Sequence, residues 1–426
     1  MESSAKTHLF NWTPDSVFAT QIKICNFGDQ FQMRFLFCHD NRFVVDPSGK
    51  VYSTGEFSEE IVRRYESAFD EMHIAGRQQN YRPEMHDRLN LLLSDRKRFV
   101  ALPDLSNIFT LLFGNGSAAR ELEAAIRATD VVVARLPSEI GMLAAKIARR
   151  MGKPLIIEVV ACVWDGLAHH GSIVASIYAP IAYWRMRREI SRSEWTLYVS
   201  REFLQHRYPS YGEKVCVSNV QIPVYEPGIL DARLKAMRGD EGTLTLGMIA
   251  ALFHKSKRVD VAIRALAFAS KSAKNLRLEV VGFGDSTDLM ALAKQLGVED
   301  RVHFLGAFAH ERIAGWLDGI DIYLQTSFQE GLPRALIEAM SRATPALASN
   351  AGGTPELIAP SWIHNRGDFK KLAEQILALR SKEVRKTLAN ENYSRAGDYV
   401  AEVLNSRRSA FWQKLLNSHG IASGEV

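Results

Sequence analysis

The 426-residue chain has no run of about 18 uncharged apolar residues, and no basic stretch followed by an apolar one opens it. The expectation is a chain with no membrane span and no secretory leader, working in the cytoplasm. Cysteine is scarce: Cys25, Cys38, Cys162 and Cys216 are scattered, form no CxxC pair and sit in or beside apolar runs. That excludes a disulfide scaffold and a cysteine-based zinc site, and it suits reduced thiols. No block of five or six like charges occurs and the formal net charge is only +5, so no nucleic-acid-binding tail is expected. A mildly basic face toward anionic lipid or phosphate stays open. Short tandem repeats are also missing.

What is present is ordinary globular chemistry, 46% apolar and 24% charged, over a length that exceeds one hydrophobic core, so two domains are expected. Residues 1–32 read as an irregular N-terminal extension, and Met33-Arg34-Phe35-Leu36-Phe37-Cys38 is the first clear strand. Strand-like runs then follow at 72–76, 99–102, 130–134, 154–160, 195–200 and 215–220, alternating with helical patterns such as 118–128 and 138–151. This alternation predicts a parallel sheet covered by helices on both faces. The pattern lapses over 221–242, where Pro223, Pro227 and Gly228 fall among charges, and a second series begins: 243–252, 276–281, 302–305, 320–326 and 345–349. The predicted organisation is a Rossmann-like domain over 33–225, a linker over 226–242 and a second Rossmann-like domain over 243–397. A helix capped by Asp368 completes the second domain, and a final helical segment, 398–426, crosses back to the first. The fold class is therefore α/β, two doubly wound halves facing a cleft, with ligands at the carboxyl ends of the strands.

The most informative stretch runs from Thr326 to Met340, after a strand and into a helix. Pro333 suits the first helical turn, and upstream of it the amides of Gly331 and Leu332 point out of the helix N-terminus, where partial positive charge favours a diphosphate. Gly331 lets a ligand approach the backbone. Glu330 lies in that loop. Glu338 sits inside a helix whose other positions are apolar nearly all round, and a carboxylate in such a place needs hydrogen-bond partners, which sugar hydroxyls supply in pairs.

Glu330 and Glu338, then Thr344-Pro345 and Asn350-Ala351-Gly352-Gly353-Thr354-Pro355-Glu356, resemble the signature of the large family of retaining glycosyltransferases of the GT-B fold, commonly called family four. Lys257 with the segment 260–266, Val280-Val281-Gly282-Phe283-Gly284 and Arg301 to Gly306 add to the likeness, which covers about residues 243–360. It is a set of ordered motifs, more specific than any one of them. The resemblance implies that Glu338 holds the nucleotide ribose, Glu330 the hydroxyls of the transferred sugar, and the Gly331 and Leu332 amides the sugar or phosphates. Lys257 would neutralise the diphosphate leaving group, so that neither a metal nor any other cofactor is needed; a fixed cation and helix-terminus amides favour the transition state over the ground state. The family usually places an arginine five residues before that lysine and a glycine after it, where this chain has Leu252 and Arg258. Arg258 or Lys255 would then supply the second positive charge, Arg258 being favoured because guanidinium suits a bidentate phosphate contact.

Gly282-Phe283-Gly284 also echoes a dinucleotide fingerprint, but Thr287 stands where the third glycine belongs, so the pair of glycines reads as a tight turn near the nucleotide base. In the first domain, Tyr52 to Phe57 resembles a loop closing over the donor phosphates, with Gly55 admitting the ligand. Ser138 reads as a helix cap. Asp165 or His169, in Trp164 to Gly171, is placed to orient or deprotonate an acceptor hydroxyl; a zinc site at the His169-His170 pair lacks further ligands at the right spacing. Tyr183, Trp184, Arg185, Met186, Arg187 and Arg188 form a basic, aromatic cluster that either docks on an anionic membrane or is the charged outer face of a core helix. The function expected is transfer of a sugar from a UDP- or GDP-linked donor to a saccharide or lipid-linked acceptor in polysaccharide or glycolipid assembly. A nucleotide-sugar epimerase and a catalytically weak binding subunit are the alternatives.

Overall fold

The computed structural model describes residues 33–420 other than 55–56, 58, 67–68, 106–115, 169–171, 223–224 and 254. The expected N-terminal extension, Gly55 and His169 lie outside the described residues.

The first sheet is built on β1, Arg34–Val45, in which Phe35 and Phe37 enter one buried cluster and Leu36 and Cys38 another. A strand apolar on both sides must be covered on both, which is what a parallel sheet under two helical layers provides. β1 pairs in parallel with β3 (Glu71–Asn80) and β6 (Val131–Leu136). β5 (Phe99–Leu102) lies beyond β3, and β7 (Leu155–Val159), β8 (Trp195–Tyr198) and β9 (Glu213–Cys216) follow beyond β6. The register of β1 shifts between Cys38 and Arg42, and its second half, from Phe43 to Val45, takes an antiparallel partner, β2 (Val51–Thr54), which in turn pairs with β4 (Leu89–Leu93). Tyr52 to Thr54, expected in a loop, are therefore strand residues: the bend in β1 moves that edge away from β6 and leaves it open to pairing.

The second sheet is parallel throughout. Its order is β12 (Val302–Phe304), β11 (Leu276–Val281), β10 (Leu244–Ile249), β13 (Ile322–Gln325), β14 (Ala346–Ser349) and β15 (Ile363–His364). This is the doubly wound order, whose switch point lies between β10 and β13. Leu246, Leu278 and Leu324 fill the layer on one face, Tyr323, Ala346 and Ala348 the other. In the first sheet the corresponding switch lies between β1 and β6, where Asp40 accepts the backbone N–H groups of Glu139 and Ile140 and Ser138 caps the helix Glu139–Arg150 by accepting from Gly141 at 2.9 Å.

The stretch between the sheets, expected as a bare linker, contains the helix Pro227–Ala236. Its proline occupies the first turn, where a missing N–H costs nothing. Arg233 is buried, and its guanidinium donates to the carbonyls of Leu317, Ile320 and Arg342 and to the Thr344 hydroxyl, which ties the helix to the second sheet. The helix Phe369–Ala378 is capped by Asp368, which accepts from Lys371 N at 3.0 Å. The helix Ala401–Ser418 packs on the first sheet: Leu404, Phe411, Trp412, Leu415 and Leu416 share a core with Phe35, Phe69, Val131 and Trp195. Among the described residues no helix is long and apolar enough to cross a membrane.

Candidate functional site

The carboxyl ends of β10 and β13 lie side by side, and the two loops that leave them are laced together. Thr326, just past β13, donates its hydroxyl to the carbonyls of Lys257 and Arg258, each at 3.0 Å, and Phe328 N donates to Ser256 O at 2.7 Å. This brings Lys257 to the loop that carries Glu330: Nζ stands 2.7 Å from Oε1, with the Glu330 side chain 9% exposed. The same oxygen accepts from Gln325 Nε2 at 2.8 Å, and Gln325 in turn accepts from the buried Tyr323 hydroxyl at 3.1 Å. A carboxylate so buried is held by one cation and one amide, and among the described residues its second oxygen is left for another donor.

The glycines that follow β14 press on this loop. Gly352 has φ +55°, and a Cβ there would lie 1.9 Å from Glu330 O; at Gly353 a Cβ would lie 2.9 Å from Gly331 O, to which Gly353 N donates at 2.8 Å. Only glycine allows so close an approach, and the contact sets the position of Glu330 and Gly331. From the other half, Val160 O just past β7 is 3.5 Å from where a Gly331 Cβ would stand, so this loop faces the first sheet across the gap. The amides of Gly331 and Leu332 find no acceptor among the described residues. Pro333 stands as the N-cap of the helix Arg334–Ser341, one position before the first turn where it was expected.

Glu338 lies within that helix, half-buried, and its carboxylate has no hydrogen-bond or ion-pair partner among the described residues. Burial pushes its carboxyl above the ordinary range, against the lowering fields of Arg334 and His310. Tyr323 is fully buried, and burial above all holds its phenol protonated, against a lowering backbone hydrogen bond with Ile249 and with smaller raising contributions from the charges of Glu338 and Glu330. The two acids therefore flank one buried tyrosine.

Arg258 caps the helix Val259–Ala269 with φ +50°. This left-handed conformation is the physical reason a glycine suits the position, and arginine holds it at a cost of about 1 kcal/mol or more. Its guanidinium is engaged in a two-pronged pair with Asp260, both contacts 2.8 Å, and so is turned to its own helix. Gly282, φ +152°, would drive a Cβ to 1.8 Å from Ala250 O, and Gly284, φ +126°, to 2.9 Å from Leu252 Cβ. Their turn is set by the adjacent β10 end, which brings Phe253 and Phe283, both more than half exposed, to a ring separation of 5.0 Å. This exposed aromatic pair was hidden in the sequence because the two residues lie on loops of different strands.

Asp165, on the short helix Val163–Ala168, is buried and bound to Arg207 at 2.9 Å, and the same guanidinium nitrogen is 2.9 Å from Cys162 Sγ. Glu356, quoted in the sequence motif without a task, spans the two halves: its oxygens accept from Arg201 N at 2.5 Å and Phe203 N at 2.6 Å. It caps the start of the helix Phe203–Arg207 from the other domain.

Residues 243–382 match the family described as Glycosyl transferases group 1. The chain is 29% identical to Protein CapJ of Staphylococcus aureus over 92% of its own length and 99% of that protein. It is 31% identical to the amylovoran biosynthesis glycosyltransferase AmsK of Erwinia amylovora, over 46% of this chain and 50% of that one. Among solved structures, the Anabaena protein HepE in complex with UDP and glucose superposes with a TM-score of 0.58 at 17% identity, covering 92% of this chain and all of that one. The structural likeness establishes the fold as GT-B.

Proposed function

We propose that this chain, whose second half carries a glycosyl transferases group 1 domain, is a retaining glycosyltransferase that moves a hexose from a UDP- or GDP-linked donor to an acceptor hydroxyl in surface polysaccharide or glycolipid assembly. The observation that carries the reading is the carboxylate of Glu338, half-buried on the helix that follows the Lys257–Glu330 pair and with no hydrogen-bond or ion-pair partner among the described residues. A charged acceptor kept this way is poised for a pair of hydroxyls such as a ribose diol. The donor's glycosyl part then falls against Glu330, whose position is set by Lys257, Gln325 and the glycine pair Gly352 and Gly353. The exposed rings of Phe253 and Phe283, beside Gly282 and Gly284, are suited to stack on the base.

When the glycosidic bond to the diphosphate breaks, negative charge grows on the bridging oxygen. Lys257 and the amides of Gly331 and Leu332, which have no acceptor among the described residues, would meet that charge, which favours the transition state. Retention follows if the acceptor attacks from the face the diphosphate leaves, its proton passing to the departing phosphate oxygen, so no separate base is required. In this reading Asp165, bound to Arg207, shapes the acceptor side, and Arg258 reaches phosphate only by leaving Asp260. The amylovoran biosynthesis in the name of AmsK and the UDP bound in HepE support the class of product and donor.

The test is a melting-point series with UDP, GDP, ADP and their sugars. A ligand that binds only the folded state raises the midpoint, by about 2.7 kcal/mol of stability at a hundred times its dissociation constant. One diphosphate family is expected to shift the wild type and fail to shift Glu338→Ala. No shift with any of them overturns the reading.

A further inference from the structure

The helix Ile173–Ser191 is apolar on two sides and covered on one. Ala179, Ala182, Met186 and Ile190 are buried against the first domain. On the opposite side Ile173, Val174, Ile177, Ile181 and Trp184 are 80%, 60%, 70%, 55% and 58% exposed, a stripe about 17 Å long at helical spacing. These five make up the largest grouping of exposed large hydrophobics among the described residues. An apolar strip of this size left in water marks an interaction surface.

Its flank shows what covers it. Past Trp184 the exposed side becomes cationic: the Arg188 guanidinium lies over the Trp184 ring at 5.2 Å. Together with Arg192, and with Lys146, Arg149, Arg150 and Arg185, it rims a cavity of about 420 Å³. Arg149, Arg150 and Arg185 are paired with Glu189, Glu123 and Glu139, whereas Lys146, Arg188 and Arg192 have no carboxylate partner among the described residues. Three uncompensated cations thus stand beside a strip of isoleucines, with a tryptophan at the border. That is the profile of a helix lying in the plane of a bilayer, its apolar side among the acyl chains and its cations among anionic headgroups. Symmetrical pairing of two such faces brings like charge toward like charge.

We propose that this face docks the protein on an anionic phospholipid bilayer, with Ile173, Ile177, Ile181 and Trp184 inserted and Lys146, Arg188 and Arg192 held to lipid phosphates. The chain enters this helix from Val160, the residue that faces Gly331 across the gap, by way of the helix Val163–Ala168, so the docked surface adjoins the acceptor side. Docking stands on the exposed side chains alone. Only its use, presenting a lipid-borne acceptor, rests on the transferase reading.

The test is flotation of the full chain with vesicles of phosphatidylcholine alone and of phosphatidylcholine with phosphatidylglycerol, with the melting shifts by UDP, GDP, ADP and their sugars read in parallel on the same preparations. The wild type is expected to float with the anionic vesicles only and to be released by salt. Lys146, Arg188 and Arg192 each contribute about fivefold to partitioning, so changing all three to glutamine is expected to lower it about a hundredfold. Ile177→Ser with Ile181→Ser is expected to abolish flotation while leaving the nucleotide shift unchanged, since both side chains already face solvent. A wild type that shifts with one of these nucleotides but does not float with anionic vesicles overturns docking and leaves the transferase reading intact. Equal flotation with neutral vesicles, or a dimer that the isoleucine variant dissociates, overturns it too. Flotation without a nucleotide shift overturns the transferase reading alone.

Discussion

Replacing Glu338 by glutamine is expected to move stability and ligand affinity in opposite directions. The carboxylate has no protein partner among the described residues, and burial raises its pKa. The sign follows: the folded chain binds the proton more tightly than the unfolded one, so stability falls as pH rises from the unfolded pKa through the folded one. Above that window the buried charge detracts in full. At neutral pH a neutral side chain of the same shape relieves this, and no hydrogen bond to the protein is lost, so the melting point of Glu338→Gln without ligand stays level or rises. Bound nucleotide loses one charge-assisted set of hydrogen bonds, about 1.5–3 kcal/mol, or about 10- to 150-fold in dissociation constant. Calorimetric titration with the diphosphate that shifts the wild type, alongside scanning calorimetry of both proteins at pH 5 and pH 7, reads both effects. A lower melting point for the variant means that Glu338 supports the fold, and unchanged affinity means that it does not touch the nucleotide; either refutes the reasoning.

Lys257→Ala removes the cation 2.7 Å from Glu330 and is expected to lower single-turnover rates about 100- to 1,000-fold, in line with loss of one preorganised group at a developing charge; a rate near wild type places the leaving group elsewhere. Gly352→Ala sets a Cβ 1.9 Å from Glu330 O, so the Glu330–Gly331 loop must shift. A displacement of about 1 Å costs about 100-fold in rate, and steady-state kinetics in a variant that still melts cooperatively provides the check. Glu356→Ala takes the acceptor from two N–H groups of the other domain, and urea denaturation is expected to show a loss of about 1–3 kcal/mol. An unchanged midpoint for that variant shows that the cap between domains is not held in solution.

The alternation of apolar runs and helical patterns made both sheets legible, because parallel strands covered on two faces must be apolar over most of their length, as Val131 to Ala134 and Leu155 to Ile157 are. The antiparallel pair β2 and β4 was not legible: it exists only because β1 bends between Cys38 and Arg42, and no local pattern announces a register shift. In the site, Lys257 and Glu330 could be placed together because ordered motifs surround both. Arg258 shows the limit of that reasoning. Its charge suggested a phosphate contact, while its backbone conformation and its pairing with Asp260 depend on a residue two positions on. Likewise Gln325 and Tyr323 carry no signature of their own, and the motif that holds Glu356 gives it no task; their tasks arise only where loops of separate strands converge. The isoleucines of the helix Ile173–Ser191 are apolar on paper like any core residue, and only the fold reveals which side is left uncovered.

The helix Ala401–Ser418 contributes Trp412 and four further apolar side chains to a core whose other members begin at Met33. Since Phe35, Phe69 and Trp195 leave the ribosome long before Trp412 does, the first sheet must wait, part of its apolar face in water, while the whole second sheet is synthesised and folds. A chain stalled or cut before residue 401 would thus present a finished nucleotide half joined to an unsealed partner, and quality-control proteases would meet the older half as the substrate.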